Sequence, residues 1–297
     1  MPSLAKFLPE FLLKFLLRFL LKFRALVLSA LFLVTMLTGP AAVAQVSDAD
    51  RAAFREAFSD VIRDPALFAD MANAIGLDAR KAPLFQRYID EVMTDPVFLD
   101  RFTEEIVTSG LFDAVAGPDG DLQTGFSLGY EIVVSITTSG LSKMDHGDIR
   151  TFFRLMSELF TLVEPRSCRV LMQQQGATQA AQLETSFAVM RGMSFEQFRT
   201  YLSLSRTAIE SELSGAVPRG VPNSAQMDLA NQAFVMKFEA ALMEMANPRG
   251  VIASLSAPHT ASDMDFCDAG KMMFTVLADM DGLPGRWMRL ATLAAAS

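Results

Sequence analysis

Histidine and cysteine, which bind transition metals and take part in nucleophilic catalysis, are scarce in this sequence of 297 residues, with two of each. The two histidines are His146, at the start of a predicted helix, and His259, in a loop rich in Pro, Ser and Ala. A zinc or non-haem iron centre requires two or more imidazoles or thiolates at helical or tight-turn spacing. The one G-x-S-x-G segment, 125–129 (GFSLG), lies within a predicted helix, whereas a nucleophile elbow needs a strand-to-helix turn. The sequence therefore predicts no metal site and no cofactor, and it assigns no catalytic residue.

One acidic segment begins like a calcium-binding loop. Asp119-Gly120-Asp121 would supply the first oxygen ligands of an EF-hand, in which the sixth residue is Gly and the twelfth is Glu. Here those positions are Thr124 and Tyr130, and the nearest Gly and Glu each come one residue late. We interpret the segment as a Pro-Asp-Gly turn, with calcium binding as the alternative.

Two short segments resemble motifs of a family of cell-wall enzymes. The pair Glu210-Ser211 is similar to the Glu-Ser pair that holds the catalytic acid of the soluble lytic transglycosylases, which are all-α exported enzymes. Segment 170–173 (VLMQ) is similar to their Gly-Leu-Met-Gln-like motif, but the two segments occur in the reverse order and the second lacks its glycine. The resemblance implies a glycan hydrolase with Glu210 as general acid. A surface Glu on an amphipathic helix is the simpler interpretation.

Residues 1–44 have the pattern of a secretory signal peptide. A basic region containing Lys14, Arg18 and Lys22 precedes the uncharged run 25–37, and a helix-breaking Thr-Gly-Pro and an Ala-Val-Ala ending at Ala44 follow. We therefore expect cleavage after Ala44 and a periplasmic mature protein. The three basic residues recur every four positions and so share one helix face, which leaves an uncleaved leader that tethers the protein to the inner membrane as the alternative.

The two cysteines, Cys168 and Cys267, both follow this leader. An even number of cysteines in an oxidising compartment favours a disulfide. The sequence therefore predicts a Cys168–Cys267 bridge that joins the middle of the chain to its C-terminal helices. Two separate buried thiols are the alternative.

Methionine is unusually frequent, with 18 residues, of which all but Met1 and Met36 follow the leader. Three close pairs are Met190 and Met193, Met243 and Met245, and Met272 and Met273. Thioethers are ligands for Cu(I), but methionine is also a flexible filler of helical cores and adaptable grooves. We interpret most of these residues as core. A groove for an apolar ligand and a copper site are the alternatives.

Apolar residues recur at three- and four-residue spacing almost throughout, and this pattern predicts an all-α fold, an irregular bundle of about ten helices. Ser194 and Gln197 stand at capping-box spacing before a long helix. The segment 122–139 is rich in β-branched residues, yet we predict a helix, with Gly125 and Gly129 on a face that a neighbour can approach closely.

The turn-forming segment 117–121 is the best internal boundary. We predict a short-helix N-terminal subdomain at 45–117 and a helical core at 118–297, which together form one continuous fold. Asp-Pro or Ala-Pro followed by Phe begins several of the short helices, as at Asp95-Pro96, because Pro is well tolerated in the first helical turn.

The formal net charge is −8, and the leader is basic, so the mature chain is more acidic still. Such a chain is repelled by phosphate backbones and anionic lipids. We therefore expect no nucleic-acid partner and no membrane contact except through the leader. The function expected from the sequence is a non-catalytic envelope binding or interaction protein, whose partner is an envelope protein or an apolar ligand.

Overall fold

The computed structural model describes residues 47–62, 69, 71–73, 75–108, 122–173, 179–217, 220 and 222–296. The signal peptide with its cleavage after Ala44, the predicted boundary at residue 117 and the acidic segment 119–121 lie outside these ranges. Within the described ranges every regular element is a helix and there is no strand, so the all-α prediction is confirmed.

The helices follow one another in this order: α1 Asp48–Ile62, α2 Lys81–Met93, α3 Pro96–Thr108, α4 Leu122–Leu141, α5 His146–Leu159, α6 Pro165–Gln173, α7 Gln179–Gly192, α8 Phe195–Leu213, α9 Ser224–Met243, α10 Pro248–Ser256, α11 Asp263–Asp279 and α12 Gly282–Ala296. In the part of the chain that the structure describes, no helix is long and apolar enough to cross a membrane.

The chain forms two compact units. The first unit combines the described part of Val34–Lys143 with Ser194–Ala216, and so contains α1 to α4 and α8. The second unit combines Met144–Met193 with Val217–Ser297, and contains α5 to α7 and α9 to α12. Each unit is therefore built from two stretches of the sequence.

The core of the first unit is a cluster of aromatic and β-branched side chains. Phe98 and Phe102 of α3 stack on each other, and Phe102 also stacks on Phe58 of α1. Ile136 of α4 and Ile209 of α8 complete the cluster from the other side. The β-branched segment is thus a helix, as predicted, because its side chains fill a helical core and no strand is present in the described ranges to pair with it.

A glycine sets the distance between α4 and α8. A Cβ atom on Gly140 would lie 1.9 Å from the carbonyl oxygen of Ala208, so the two backbones are in direct contact there. At Gly129 the added atom would meet only the Phe102 ring, at an ordinary 3.6 Å. Close approach through a glycine therefore occurs in α4, but at Gly140 and not at Gly129, and the surroundings of Gly125 lie outside the described side chains.

In the second unit, two arginines bind the C-terminal end of α11. Arg289 is buried and its Nη1 donates to the carbonyl oxygens of Leu277 (2.7 Å) and Met280 (2.9 Å). Arg150 Nε donates to Ala278 O at 2.8 Å. These cations satisfy carbonyls that have no partner within the helix and oppose the negative end of its dipole.

Side-chain caps fix where the helices begin. Ser194 and Gln197 form the predicted capping box at α8, with both reciprocal bonds present. Asn223 and Gln226 form a second capping box at α9. Each box satisfies two backbone N–H groups, the N-cap's own and that of the third helical residue, so these helix starts are encoded locally.

Candidate functional site

Glu210 lies on the surface of α8 and has a cationic partner. Its side chain is 60% exposed, and Arg206 Nε donates to its carboxylate at 2.7 Å. Arg206 also pairs with Glu91, and the hydrogen bond to Glu210 raises the pKa of Arg206. A glycosidase general acid needs burial without a counter-ion, so that it remains protonated. The environment of Glu210 is the opposite of this.

The histidines lie at separate places in the second unit. His146 is the first residue of α5, and His259 is exposed in the turn after α10. Across the described ranges there is no group of three or more His, Cys, Asp or Glu side chains that could hold a metal ion. Segment 170–173, the second half of the cell-wall enzyme resemblance, falls at the end of α6.

The structure brings Cys168 of α6 and Cys267 of α11 together at disulfide distance. Their Cα atoms are 5.4 Å apart across a sequence separation of 99 residues, which is within the usual range for a bridge. Both residues are buried, and the pair packs against Phe160, Val163 and Phe274. The surroundings are apolar, and this is the setting of a structural bridge.

Next to the cysteine pair, Arg169 connects α6 to the loop before α11. Its Nη1 and Nη2 donate to the carbonyl oxygens of Pro258 (2.7 Å) and Ala261 (2.8 Å), and its Nε donates to Asp263 at 2.6 Å. The guanidinium also lies 4.6 Å from the centre of the Phe266 ring. We call this region, Cys168 and Arg169 with Phe266 and Cys267, the disulfide corner. Its polar groups face inward and bind partners in the same unit.

The methionines with assigned burial fall into three groups. Six are buried in the core, namely Met144, Met193, Met272, Met273, Met280 and Met288, and six others are partly buried. Met236, Met243 and Met264 are instead exposed. Exposed methionine is the unusual case, because a thioether side chain gains little from contact with water.

Two of the exposed methionines belong to one line of side chains on α9. Leu229, Met236 and Met243 are 53%, 67% and 82% exposed. They are spaced by seven residues, which is two helical turns, so they lie on one face over about 21 Å of helix. We call this line the α9 stripe. Ala225 and Ala240 are exposed on the same face.

The opposite face of α9 is buried in the core of the second unit. Ala230, Phe234, Phe238 and Leu242 are buried there, and the two phenylalanine rings stack at 5.7 Å. Helix α9 is therefore apolar on both faces, whereas a surface helix normally has one apolar face and one polar face.

The edges of the α9 stripe are mainly acidic. Asp228, Glu239 and Glu244 are exposed beside it, and Lys237 is the one base within this span of the helix. Among the described residues, none of the three carboxylates forms an ion pair. The site is thus a narrow apolar line with negative edges.

The sequence contains a signal for this surface. Phe234 and Phe238 define one helical stripe, and Leu229, Met236 and Met243 define a second stripe on the other side. Such double periodicity is typical of a helix that is covered on both sides.

Comparison of the chain with protein-family models, with curated proteins and with solved structures gives no match.

Proposed function

We propose that this chain is an exported, non-catalytic interaction protein that binds an amphipathic helix of a partner protein along the α9 stripe. The observation that carries the proposal is the exposure of Leu229, Met236 and Met243 on one face of a helix whose other face is already buried. Exposed apolar residues that are contiguous, and not scattered, mark interaction surfaces.

A helix is the partner shape that this surface fits best. Seven-residue spacing is the repeat by which two helices pack side by side, with apolar residues of one entering the gaps of the other. Amphipathic helices bind through anchors at such positions, and methionine adapts to different anchors because its side chain is flexible and polarizable. The α9 stripe offers two methionines and one leucine for this purpose.

The charges at the edges define the chemistry of the partner. Asp228, Glu239 and Glu244 outnumber Lys237 beside the stripe, so a helix with Lys or Arg along its edges would be attracted and an acidic one repelled. The same charges oppose contact with anionic lipid. A second copy of this chain would bring like charges together, which makes it the weaker choice.

The other functions expected from the sequence have less support. A cell-wall hydrolase would need a buried Glu210, but this residue is exposed and paired with Arg206. Copper handling would need several thioethers at one point, whereas Met193, Met272 and Met273 are buried core residues and Met243 is exposed. Export to the periplasm rests on the pattern of residues 1–44, and N-terminal sequencing of the exported protein, expected to begin at Gln45, tests it.

Photo-crosslinking in cells that export the full chain tests the binding surface. A photoreactive amino acid is placed at position 236, at the centre of the α9 stripe, and at Lys271, an exposed residue of α11, as the matched control. We expect a discrete adduct from position 236 and none from 271. The crosslinked peptide of the partner should be an amphipathic segment with basic edges.

Three results would overturn the proposal. Absence of an adduct from positions 229, 236 and 243 alike would mean that nothing covers the stripe. An adduct of twice the chain mass would assign the stripe to a second copy, and a lipid adduct would assign it to a membrane.

A further inference from the structure

We infer that the second unit contains a separate binding site for a small organic carboxylate with an apolar tail, in the pocket beside Trp287. The pocket has a volume of about 300 Å³ and is lined by His146, Gly220, Leu283, Arg286, Trp287 and Leu290. Its residues come from α5, α12 and the segment before α9. None of them belongs to the α9 stripe, so this site is independent of the proposed function.

The apolar part of the pocket selects the tail of the ligand. Trp287 is the only tryptophan of the chain and is half-buried, and Leu283, one helical turn before it, is 53% exposed. Tryptophan offers a large, rigid apolar surface at low cost in side-chain entropy. A volume of this size is at the lower end for small-molecule sites, so it fits an aliphatic or aromatic group of about ten atoms and not a large cofactor.

The polar part of the pocket selects the head group. Arg286 is exposed at its rim, and a guanidinium binds a carboxylate through two parallel hydrogen bonds. Arg150 and Arg289 are nearby: burial first, and then the charge of Arg150, lower the pKa of Arg289 to about 10, while Asp281 opposes this shift and Arg286 adds to it. Of these three arginines, Arg286 is the one that lines the pocket.

Two acidic residues in the segments beside the pocket have partners of their own. Asp145 caps α5, its carboxylate accepting from the backbone N–H of Asp148 at 2.9 Å. Asp281 accepts from Arg150 Nη2 at 2.9 Å. Arg286 forms none of the ion pairs found among the described residues. Its charge is therefore available to a ligand that carries a carboxylate.

Tryptophan fluorescence of the full chain, excited where tyrosine does not absorb, tests this site directly, because that signal comes from Trp287. Octanoate is titrated and compared with 1-octanol, which has the same tail and no charge. We expect a saturable change with octanoate and at least tenfold weaker binding of octanol. Arg286→Gln should weaken octanoate binding about tenfold. Arg249→Gln, which removes an exposed arginine of α10 outside the pocket, should leave it unchanged.

Leu283→Ser provides a second variant, and because Leu283 is exposed we expect the fold to remain intact. It should weaken octanoate more than it weakens acetate, which lacks the tail. Equal responses to octanoate and octanol, or no saturable response, would overturn the inference. If Arg249→Gln and Arg286→Gln weakened octanoate binding equally, the binding would depend only on net charge, and this result would overturn the inference as well.

Discussion

The disulfide corner and the α9 stripe, both in the second unit, differ in whether their side chains have partners within that unit. At the corner, Arg169 has a partner for each nitrogen of its guanidinium, and the cysteines pack among Phe160, Val163 and Phe274. At the stripe, Leu229, Met236 and Met243 project away from the core. A region whose groups are all satisfied internally stabilises the fold. A region whose apolar groups have no partner in the chain is available to another molecule.

The largest effect is expected on the buried face of the stripe helix. Phe234 is fully buried and stacks on Phe238, so Phe234→Ala should lower the free energy of unfolding by about 3–5 kcal/mol through lost burial and a cavity. Denaturant unfolding followed by circular dichroism measures this change. A loss as small as that of an exposed residue would show that the two faces of α9 are not as different as the structure indicates.

Removal of the bridge is the next largest change. Cys168→Ser with Cys267→Ser opens a loop of 99 residues, and we expect a loss of about 2–5 kcal/mol, mainly because the unfolded chain regains freedom. Unfolding of the native protein with and without reductant gives the same comparison without substitution. Mass spectrometry supplies the control, because two free thiols in exported protein would contradict a structural bridge.

Loss of Arg169 should have a smaller effect of the same kind. Arg169→Met leaves Asp263 and the carbonyl oxygens of Pro258 and Ala261 without their donor, which should cost about 2–3 kcal/mol. Arg169→Lys keeps the charge but cannot reach three acceptors at once, so we expect an intermediate value. A stability of Arg169→Lys equal to that of the native protein would indicate that charge alone matters at the corner, and equal stability of the two variants would indicate that the charge contributes nothing.

The smallest change in stability is expected at the stripe itself. Met236→Glu should alter the free energy of unfolding by less than about 0.5 kcal/mol, because residue 236 is exposed. The same substitution should abolish the photo-adduct from position 243, since it would bury a carboxylate in an apolar contact. Met236→Leu is the matched control and should retain the adduct. An unaffected adduct in Met236→Glu would contradict binding along the stripe.

Local signals in the sequence predicted much of the fold. Three- and four-residue apolar spacing gave the helices, and the Ser194–Gln197 pair gave the start of α8, because both depend on residues within one or two turns. The close contact of Gly140 with Ala208 could not be predicted, since it depends on how α4 meets a helix that lies far along the chain. The acceptors of Arg169 could not be predicted either, because they lie about 90 residues further along the chain.

The site was less predictable than the fold. Hydrophobicity identifies both faces of α9 as apolar, but only the packing of the second unit shows that Phe234 faces inward and Met236 outward. For Glu210 the sequence suggested a site that the fold does not support. Its neighbours in sequence resemble a catalytic motif, whereas its exposure and its pairing with Arg206 are determined by the tertiary structure.

The order of the helices has a consequence for how the protein acquires its structure. The first unit takes α8 from Ser194–Ala216, after α5 to α7 of the second unit, and the second unit resumes only at Val217. A growing or translocating chain therefore cannot complete the first unit until the helices of the second have begun to appear. No single cut in the backbone separates the two units, because every cut between Lys143 and Val217 divides at least one of them. Truncation after Ala216 keeps the whole first unit but only the Met144–Met193 part of the second, and deletion of Met144–Met193 also leaves the first unit's sequence intact.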